Sequence, residues 1–210
     1  MTHPDRDIIA VGRSLFSRRL TGGRTGNISV RSQGQMRVTA SGSSLGDLEA
    51  DDITEVDLGS GAWTGRTPTK EASLHRAIYA VRPDAGAIIH LHSTHAVAVS
   101  CLADVDPKEV LPPLTAYFEM RVGRLPLVPY FAPGDQALAD AVASLAVDHH
   151  ALLLSNHGPV VAGSNLVSAQ DAIEEIEETA RLYLLLEGRR VLPVPRAPRP
   201  SDPSSERSRQ

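Results

Sequence analysis

The chain has 210 residues, of which 41% are hydrophobic and 22% charged, and its formal net charge is -4. This size predicts one compact domain, and the weak negative charge gives no electrostatic reason to expect a nucleic-acid partner. Because there is no apolar run near the roughly 20 residues of a membrane span, and the N-terminus is too polar for a secretion signal, we expect a cytoplasmic protein without a membrane partner. Cys101 is the only cysteine, which excludes an intrachain disulfide and a cysteine-based zinc site.

The first half of the chain predicts two helices and three strands. Apolar residues at helical spacing predict an amphipathic helix over about residues 8–19. The pattern then changes, and residues 27–31 and 35–39 predict two strands of a hairpin joined at Gln33 and Gly34. A third short strand is predicted over 53–58, and a helix over 70–81 that ends before Pro83.

The second half alternates apolar strand-like runs with helical patterns. Strands are predicted over residues 87–92, 125–131, 150–155 and 159–162, and helices over 94–102, 135–147 and 168–187. Ser168 is the predicted cap of the last helix. The domain is expected to span residues 1–190, and residues 191–210 predict a disordered tail because they are rich in Pro, Ser and Arg.

Histidines follow two of the apolar strand-like runs. His90 and His92 lie two positions apart, so that on one strand their side chains emerge on the same face. His157 follows a second apolar run and precedes Gly158, which permits a sharp turn. Three converging imidazoles would hold a divalent ion and leave a coordination position open for a substrate. Taken singly, each of these features is also typical of structural histidines.

Several other polar positions permit more than one interpretation. Glu71 opens the helix at 70–81, where it is suited to a metal ligand, a general base or an acid that compensates the helix dipole. The loops at 26–27 and 41–44 are suited to a phosphate or are ordinary turns. We expect structural or surface roles for four further histidines, His75, His95, His149 and His150.

Five short motifs in chain order resemble the class II aldolase/adducin family. They are Gly26-Asn27-Ile28-Ser29-Val30, Ser41-Gly42, Lys70-Glu71, His90-x-His92 and Asn156-His157-Gly158. The resemblance implies an α/β fold, a three-layer α/β/α sandwich around a central mixed, mainly antiparallel sheet. It also implies a homotetramer with active sites at subunit interfaces.

The same resemblance implies roles for individual residues. His90, His92 and His157 match the family's zinc-binding histidines, and Mn²⁺, Co²⁺, Ni²⁺ or Fe²⁺ are possible alternatives to Zn²⁺. Glu71 matches the family's acid/base residue, which also ligates the resting ion, and Tyr117 is a further candidate proton donor. The positions matched to phosphate or substrate binding are Thr25, Gly26, Asn27, Ser41, Gly42, Thr69 and Lys70.

Within this family the chain looks most like the 3-oxo-tetronate 4-phosphate decarboxylase branch. Thr69 and Lys70 replace the two serines that precede the acid in fuculose-phosphate aldolases, which puts an aldolase activity in doubt. The resemblance implies conversion of a phosphorylated sugar acid to dihydroxyacetone phosphate and carbon dioxide through a metal-stabilised enediolate. The alternatives are a sugar-phosphate aldolase or epimerase, and a non-catalytic adducin-like interaction module.

Overall fold

The computed structural model of the chain describes residues 4–192 and 194–195. Within them the α-helices are α1 (Pro4–Ser17), α2 (Ala72–Val81), α3 (Thr94–Ser100), α4 (Ala116–Arg121), α5 (Gln136–Ala146) and α6 (Leu166–Leu185). The strands are β1 (Asn27–Ser32), β2 (Gln35–Thr39), β3 (Ile53–Asp57), β4 (Trp63–Thr64), β5 (Ala87–His90), β6 (Leu127–Val128), β7 (Ala151–Leu154) and β8 (Gly158–Gly163). Most of the predicted tail at 191–210 lies outside the described residues, so its disorder stays a prediction.

The strands form one mixed sheet in the order β4-β3-β2-β1-β5-β8-β7-β6. Only β6 and β7 pair in parallel among the described strands, and the other neighbours are antiparallel. The predicted hairpin of β1 and β2 is present, with Ser32 opposite Gln35. The mixed, mainly antiparallel sheet that the family resemblance implied is therefore confirmed.

Helices cover both faces of this sheet, because successive residues of a buried strand point to opposite sides. Ile88 of β5 packs into a core that also contains residues of α2 and α5. Its neighbour Ile89 packs into a second core, which contains residues of α1, α3, α4 and α6. Both side chains are 0% exposed. The predicted three-layer α/β/α sandwich is confirmed.

Three predicted details of these elements are wrong. β6 covers only Leu127–Val128 and not residues 125–131, because Pro126 and Pro129 on either side lack the N–H that a longer ladder requires. β5 ends at His90 and does not reach His92, because the residue opposite Leu91 is Pro159, which has no N–H with which to continue the ladder. The cap of α6 is Asn165 and not Ser168, since the Asn165 side chain accepts from the backbone N–H of Ser168. The helix therefore begins earlier than its apolar pattern indicates.

Among the described α-helices and strands, α4 and β4 were not predicted, and both are short. Helices this short gain their stability from packing rather than from their own sequence. Phe118 supplies that packing in α4, where it is 0% exposed. None of the helices among the described residues has the length and apolar character that crossing a membrane requires.

Candidate metal centre and active site

Four potential metal ligands converge at one edge of the central strands. They are Glu71, His90, His92 and His157, and one ligand atom of each lies within 4.8 Å of the others. Glu71 directly precedes α2, His90 ends β5, His92 lies in the next loop, and His157 lies in the turn between β7 and β8. Three separate segments of the chain therefore build the cluster.

The turn that carries His157 depends on a close approach of two backbones. Asn156 has a φ of 54° and Gly158 a φ of 149°, both in the range that favours glycine or asparagine. A Cβ atom on Gly158 would lie 2.2 Å from the carbonyl oxygen of Leu91. Only glycine lets this turn approach the loop after β5, which brings the His157 and His92 ring centroids to 4.6 Å.

The spacing of the ligand atoms fits a small ion. Nε2 of His90 lies 3.1 Å from Nε2 of His92, 3.3 Å from Nε2 of His157 and 3.3 Å from Oε2 of Glu71. Ligands held at about 2.0–2.1 Å in a tetrahedron are about 3.3 Å apart. The Nδ1–H of His90 donates to the carbonyl of Pro159 at 2.9 Å, which leaves the lone pair of Nε2 directed into the cluster.

The buried environment sets the charge of these groups. Burial, with the neighbouring histidines, lowers the pKa of His92 and that of His157 to about 4. Burial alone raises the pKa of Glu71, but His90, His157 and a hydrogen bond from Asn27 outweigh it and lower the pKa to about 2. At neutral pH His92 and His157 are therefore neutral and Glu71 is ionised, the states in which these side chains bind metal.

One of the two carboxylate oxygens of Glu71 has no hydrogen-bond partner among the described residues. Oε2 of Glu71 accepts from the Asn27 side-chain amide at 2.7 Å. Oε1 is buried, lies 3.2 Å from Nε2 of His157, and receives no hydrogen bond from the described part of the chain. A buried oxygen in this state is costly unless a cation or a substrate group satisfies it. The donor set and this oxygen together fit a divalent metal ion.

A cavity of about 320 Å³ opens beside the cluster. Glu71, His92 and His157 line it, and so do all the residues predicted to bind phosphate or substrate, namely Thr25, Gly26, Asn27, Ser41, Gly42, Thr69 and Lys70. Gly26 has a φ of 80°, and a Cβ there would lie 3.0 Å from the carbonyl oxygen of His90. The fold thus brings the predicted set together, while the roles of its members stay predictions.

The described residues 6–184 match the family model of the Class II Aldolase and Adducin N-terminal domain. This chain belongs to the class II aldolase and adducin family. It is 44% identical over 187 residues to 3-oxo-tetronate 4-phosphate decarboxylase of Pectobacterium atrosepticum, covering 88% of this chain and 85% of the relative. It is 36% identical over 181 residues to L-fuculose phosphate aldolase of Methanocaldococcus jannaschii, covering 86% of this chain and 95% of the relative.

A solved structure shares this class II aldolase fold closely. YgbL from Klebsiella pneumoniae superposes with a TM-score of 0.88 at 43% identity, and the match covers 91% of this chain and 93% of the YgbL chain. The sequence-based assignment to the class II aldolase/adducin family is therefore confirmed. The curated relatives are lyases, both decarboxylases and aldolases.

The structure differs from the sequence prediction of the site at two residues, Arg24 and Tyr117. Arg24 lines the cavity of this class II aldolase domain but was not among the predicted residues. Its position beside the Thr25–Gly26 loop was the available signal. Tyr117 is 58% exposed on α4, its ring lies 5.0 Å from the Arg121 guanidinium, and it is not among the described residues that line the cavity. Its role as a proton donor stays a prediction.

Proposed function

We propose that this protein is a metal-dependent carboxy-lyase that converts a 3-oxo-tetronate 4-phosphate to dihydroxyacetone phosphate and carbon dioxide. The observation that carries the proposal is the 44% identity to 3-oxo-tetronate 4-phosphate decarboxylase over 88% of this chain. A sugar-phosphate aldolase is the second candidate, since identity to an L-fuculose phosphate aldolase is 36% over 86% of the chain. The ligand cluster of Glu71, His90, His92 and His157 argues against a non-catalytic interaction module.

The charges of the cavity support the decarboxylase over the aldolase. Arg24 and Lys70 both line the cavity, and neither forms an ion pair with another described residue. The tetronate substrate has two anionic groups, a phosphate and a carboxylate, whereas an aldose or ketose phosphate has one. Two unpaired cations beside an ionised Glu71 match the doubly anionic substrate better, because each substrate anion gains a charge-assisted contact.

The reaction needs a proton and a place for an electron pair. The bond between C1 and C2 breaks, C1 leaves as carbon dioxide, and the electron pair moves onto the C3 oxygen to give an enediolate. A proton then adds to C2 and completes dihydroxyacetone phosphate. A divalent ion held by His90, His92 and His157 would supply Lewis-acid stabilisation of the developing negative charge, an effect of several kcal/mol.

Glu71 has the geometry of the proton-transfer group. Asn27 holds its Oε2 from the side of the sheet, at 2.7 Å, while the buried Oε1 is without a hydrogen bond among the described residues. The carboxylate is thus fixed at one oxygen and available at the other, and Glu71 also lines the cavity. Because the ionised Glu71 holds no proton, we infer that it takes one from solvent in the cavity and passes it to C2, with Tyr117 of a neighbouring copy as the second candidate.

We propose Zn²⁺ as the native ion, a homotetramer with interface active sites as the assembly, and the cytoplasm as the location. Three imidazole nitrogens at near-tetrahedral spacing support zinc. Side chains exposed on α4, among them Tyr117 at 58% and Met120 at 77%, support a contact with another copy at that surface. Elemental analysis and light scattering of the purified protein test the first two points.

The function is tested by product analysis with purified protein. With a panel of 3-oxo-tetronate 4-phosphate stereoisomers, we expect one isomer to release carbon dioxide and dihydroxyacetone phosphate in equal amounts. L-fuculose 1-phosphate serves as the comparison substrate, and we expect it to release lactaldehyde far more slowly. Faster aldehyde release from the sugar phosphate, without carbon dioxide from any tetronate, would assign the protein to the aldolases.

Lys70 provides a second, more local prediction. We expect Lys70→Ser, which introduces the hydroxyl of the aldolase pattern, to lower kcat/KM for the tetronate about 10- to 100-fold, because one charge-assisted contact is lost. The matched control is Lys108→Ser, which removes the same charge at an exposed position away from the cavity. Steady-state kinetics on both variants decide the point, and equal effects of the two substitutions would remove Lys70 from the site.

A further inference from the structure

A continuous row of buried hydrogen bonds leads from Glu71 away from the cavity into the core. Asn27 Nδ2 lies 2.7 Å from Glu71 Oε2, and Asn27 Oδ1 lies 2.6 Å from His75 Nε2. His75 Nδ1 lies 2.7 Å from the Ser29 hydroxyl, which lies 2.9 Å from the Tyr79 hydroxyl. None of the five residues is more than 5% exposed, and His75 and Ser29 are 0% exposed.

The ionised Glu71 fixes the direction of every bond in this row. A carboxylate only accepts, so the Asn27 amide N–H donates to it, and the Asn27 carbonyl must then face His75. His75 therefore donates through Nε2–H and accepts through Nδ1, where the Ser29 O–H donates. The Ser29 oxygen in turn accepts from the Tyr79 O–H. Every donor in the row is oriented toward Glu71.

The geometry of strand and helix explains why the row is continuous. Asn27 and Ser29 are two apart on β1 and share a face, with Ile28 between them in the opposite core. Glu71, His75 and Tyr79 are four apart at the start of α2 and along it. Two strand residues rise about 6.6 Å and four helix residues about 6.0 Å, so the side chains of the two elements alternate in step.

Burial keeps the row in one protonation state. It lowers the pKa of His75 to about 3 and raises the pKa of Tyr79, so both are neutral around pH 7. Neither residue is more than 3% exposed, so solvent does not supply the far end with protons. The row therefore acts as a set of fixed, aligned dipoles, and such networks hold their members more firmly than isolated pairs.

We propose that His75, supported by Ser29 and Tyr79, is a positioning residue for Glu71. It fixes the Asn27 amide, which holds Oε2 of Glu71 and leaves Oε1 directed to the ligand cluster and the cavity. The inference rests on the proposed function only for the catalytic role of Glu71, because the placement of its carboxylate among the ligand atoms is a separate, measurable property. His75 itself does not touch the substrate.

The test compares His75→Leu with the wild-type holoenzyme. Without the donor to Asn27, we expect kcat for carbon dioxide release to fall about 10- to 100-fold while KM changes little, because outer-sphere partners of a metal site have effects of this size. Co²⁺ titration of the chelated proteins gives a readout independent of turnover. We expect Co²⁺ affinity to fall by a similar factor and the visible absorption of bound Co²⁺ to change. His75→Gln, whose amide again provides a donor, should recover part of both.

Ile78→Ala is the matched control, since Ile78 lies on the same helix, is 2% exposed and belongs to the core beside the row. We expect it to lower the melting temperature at least as much as His75→Leu while kcat and Co²⁺ affinity stay near wild type. If His75→Leu does not fold, Ser29→Ala removes the next donor and should show a smaller loss of the same kind.

Unchanged kcat and Co²⁺ affinity in His75→Leu or its Ser29→Ala substitute would overturn the inference, and so would equal losses in Ile78→Ala. A failure of the proposed function is recognised separately, because the wild type would then release no carbon dioxide. The Co²⁺ titrations would still decide whether His75 positions Glu71.

Discussion

His157→Ala should lower carbon dioxide release by at least about 10³-fold, since the loss of several kcal/mol of Lewis-acid stabilisation corresponds to a factor of this size. The substitution removes one of three imidazoles, in which Nε2 of His92 and Nε2 of His157 lie 3.1 Å and 3.3 Å from Nε2 of His90. Turnover assays, with elemental analysis of the dialysed variant, measure both consequences. We expect the variant to retain much less metal than the wild type.

The control for this prediction is His150, which lies at the opposite end of β7 from His157 and away from the cluster. His150 lies directly before β7, whereas His157 follows that strand. Nε2 of His150 lies 2.9 Å from the carbonyl oxygen of Arg121. His150→Ala should retain its metal and most of its turnover. Wild-type protein that is chelated and shown by elemental analysis to be metal-free should be as inactive as His157→Ala. Undiminished turnover in that preparation would contradict the proposed chemistry.

Glu71→Gln is expected to lower kcat about 10²- to 10⁴-fold, the range associated with the loss of a general acid or base. Glutamine retains an oxygen that accepts from Asn27, so the side chain keeps its place but neither ionises nor transfers the proton. Elemental analysis separates the two roles of Glu71. A variant that retains its metal but not its turnover identifies proton transfer as the lost step, and full turnover would exclude Glu71 from it.

The Glu71→Gln variant also tests whether Tyr117 acts from a neighbouring copy. Tyr117 is 58% exposed. It is not one of the described residues that line the cavity of its own chain. If each site combines Glu71 of one subunit with Tyr117 of another, mixed assemblies of Glu71→Gln and Tyr117→Phe should regain about a quarter of wild-type activity, because random exchange leaves that share of sites intact. About half of wild-type activity, which follows if Tyr117→Phe is itself fully active, would place Tyr117 outside the active site.

The cluster of potential metal ligands could be predicted from the sequence because each strand-end histidine follows a strongly apolar run. Residues 87–89 and 152–154 identify two buried strands, and His90 and His157 come at or just after their ends. His92 was assigned to the strand itself, but it lies beyond β5 because Pro159 ends the ladder. The side chains of His90 and His92 do converge, as predicted. They do not do so by sharing one face of a strand, which was the reason given for the prediction.

The buried row beyond Glu71 was not accessible in the same way. His75 follows Glu71 by one helical turn, a spacing that usually means only a shared helix face. Its meaning depends on which strand lies beneath α2, and that strand is β1, which reaches the site through its pairing with β5. Such long-range pairings are set by tertiary structure, so the sequence led us to expect a structural or surface histidine.

The register of β1 has a consequence for how this protein tolerates insertions and deletions. Asn27 pairs with His90 and Ser29 with Ile88, so a single residue added between Asn27 and Ser29 would turn one of the two side chains toward the opposite core. The exposed turn at Gln33 and Gly34, at the far end of the same strand, has no such constraint. Length variation in this segment should therefore be confined to that turn, while the strand itself does not accept a change in the number of its residues.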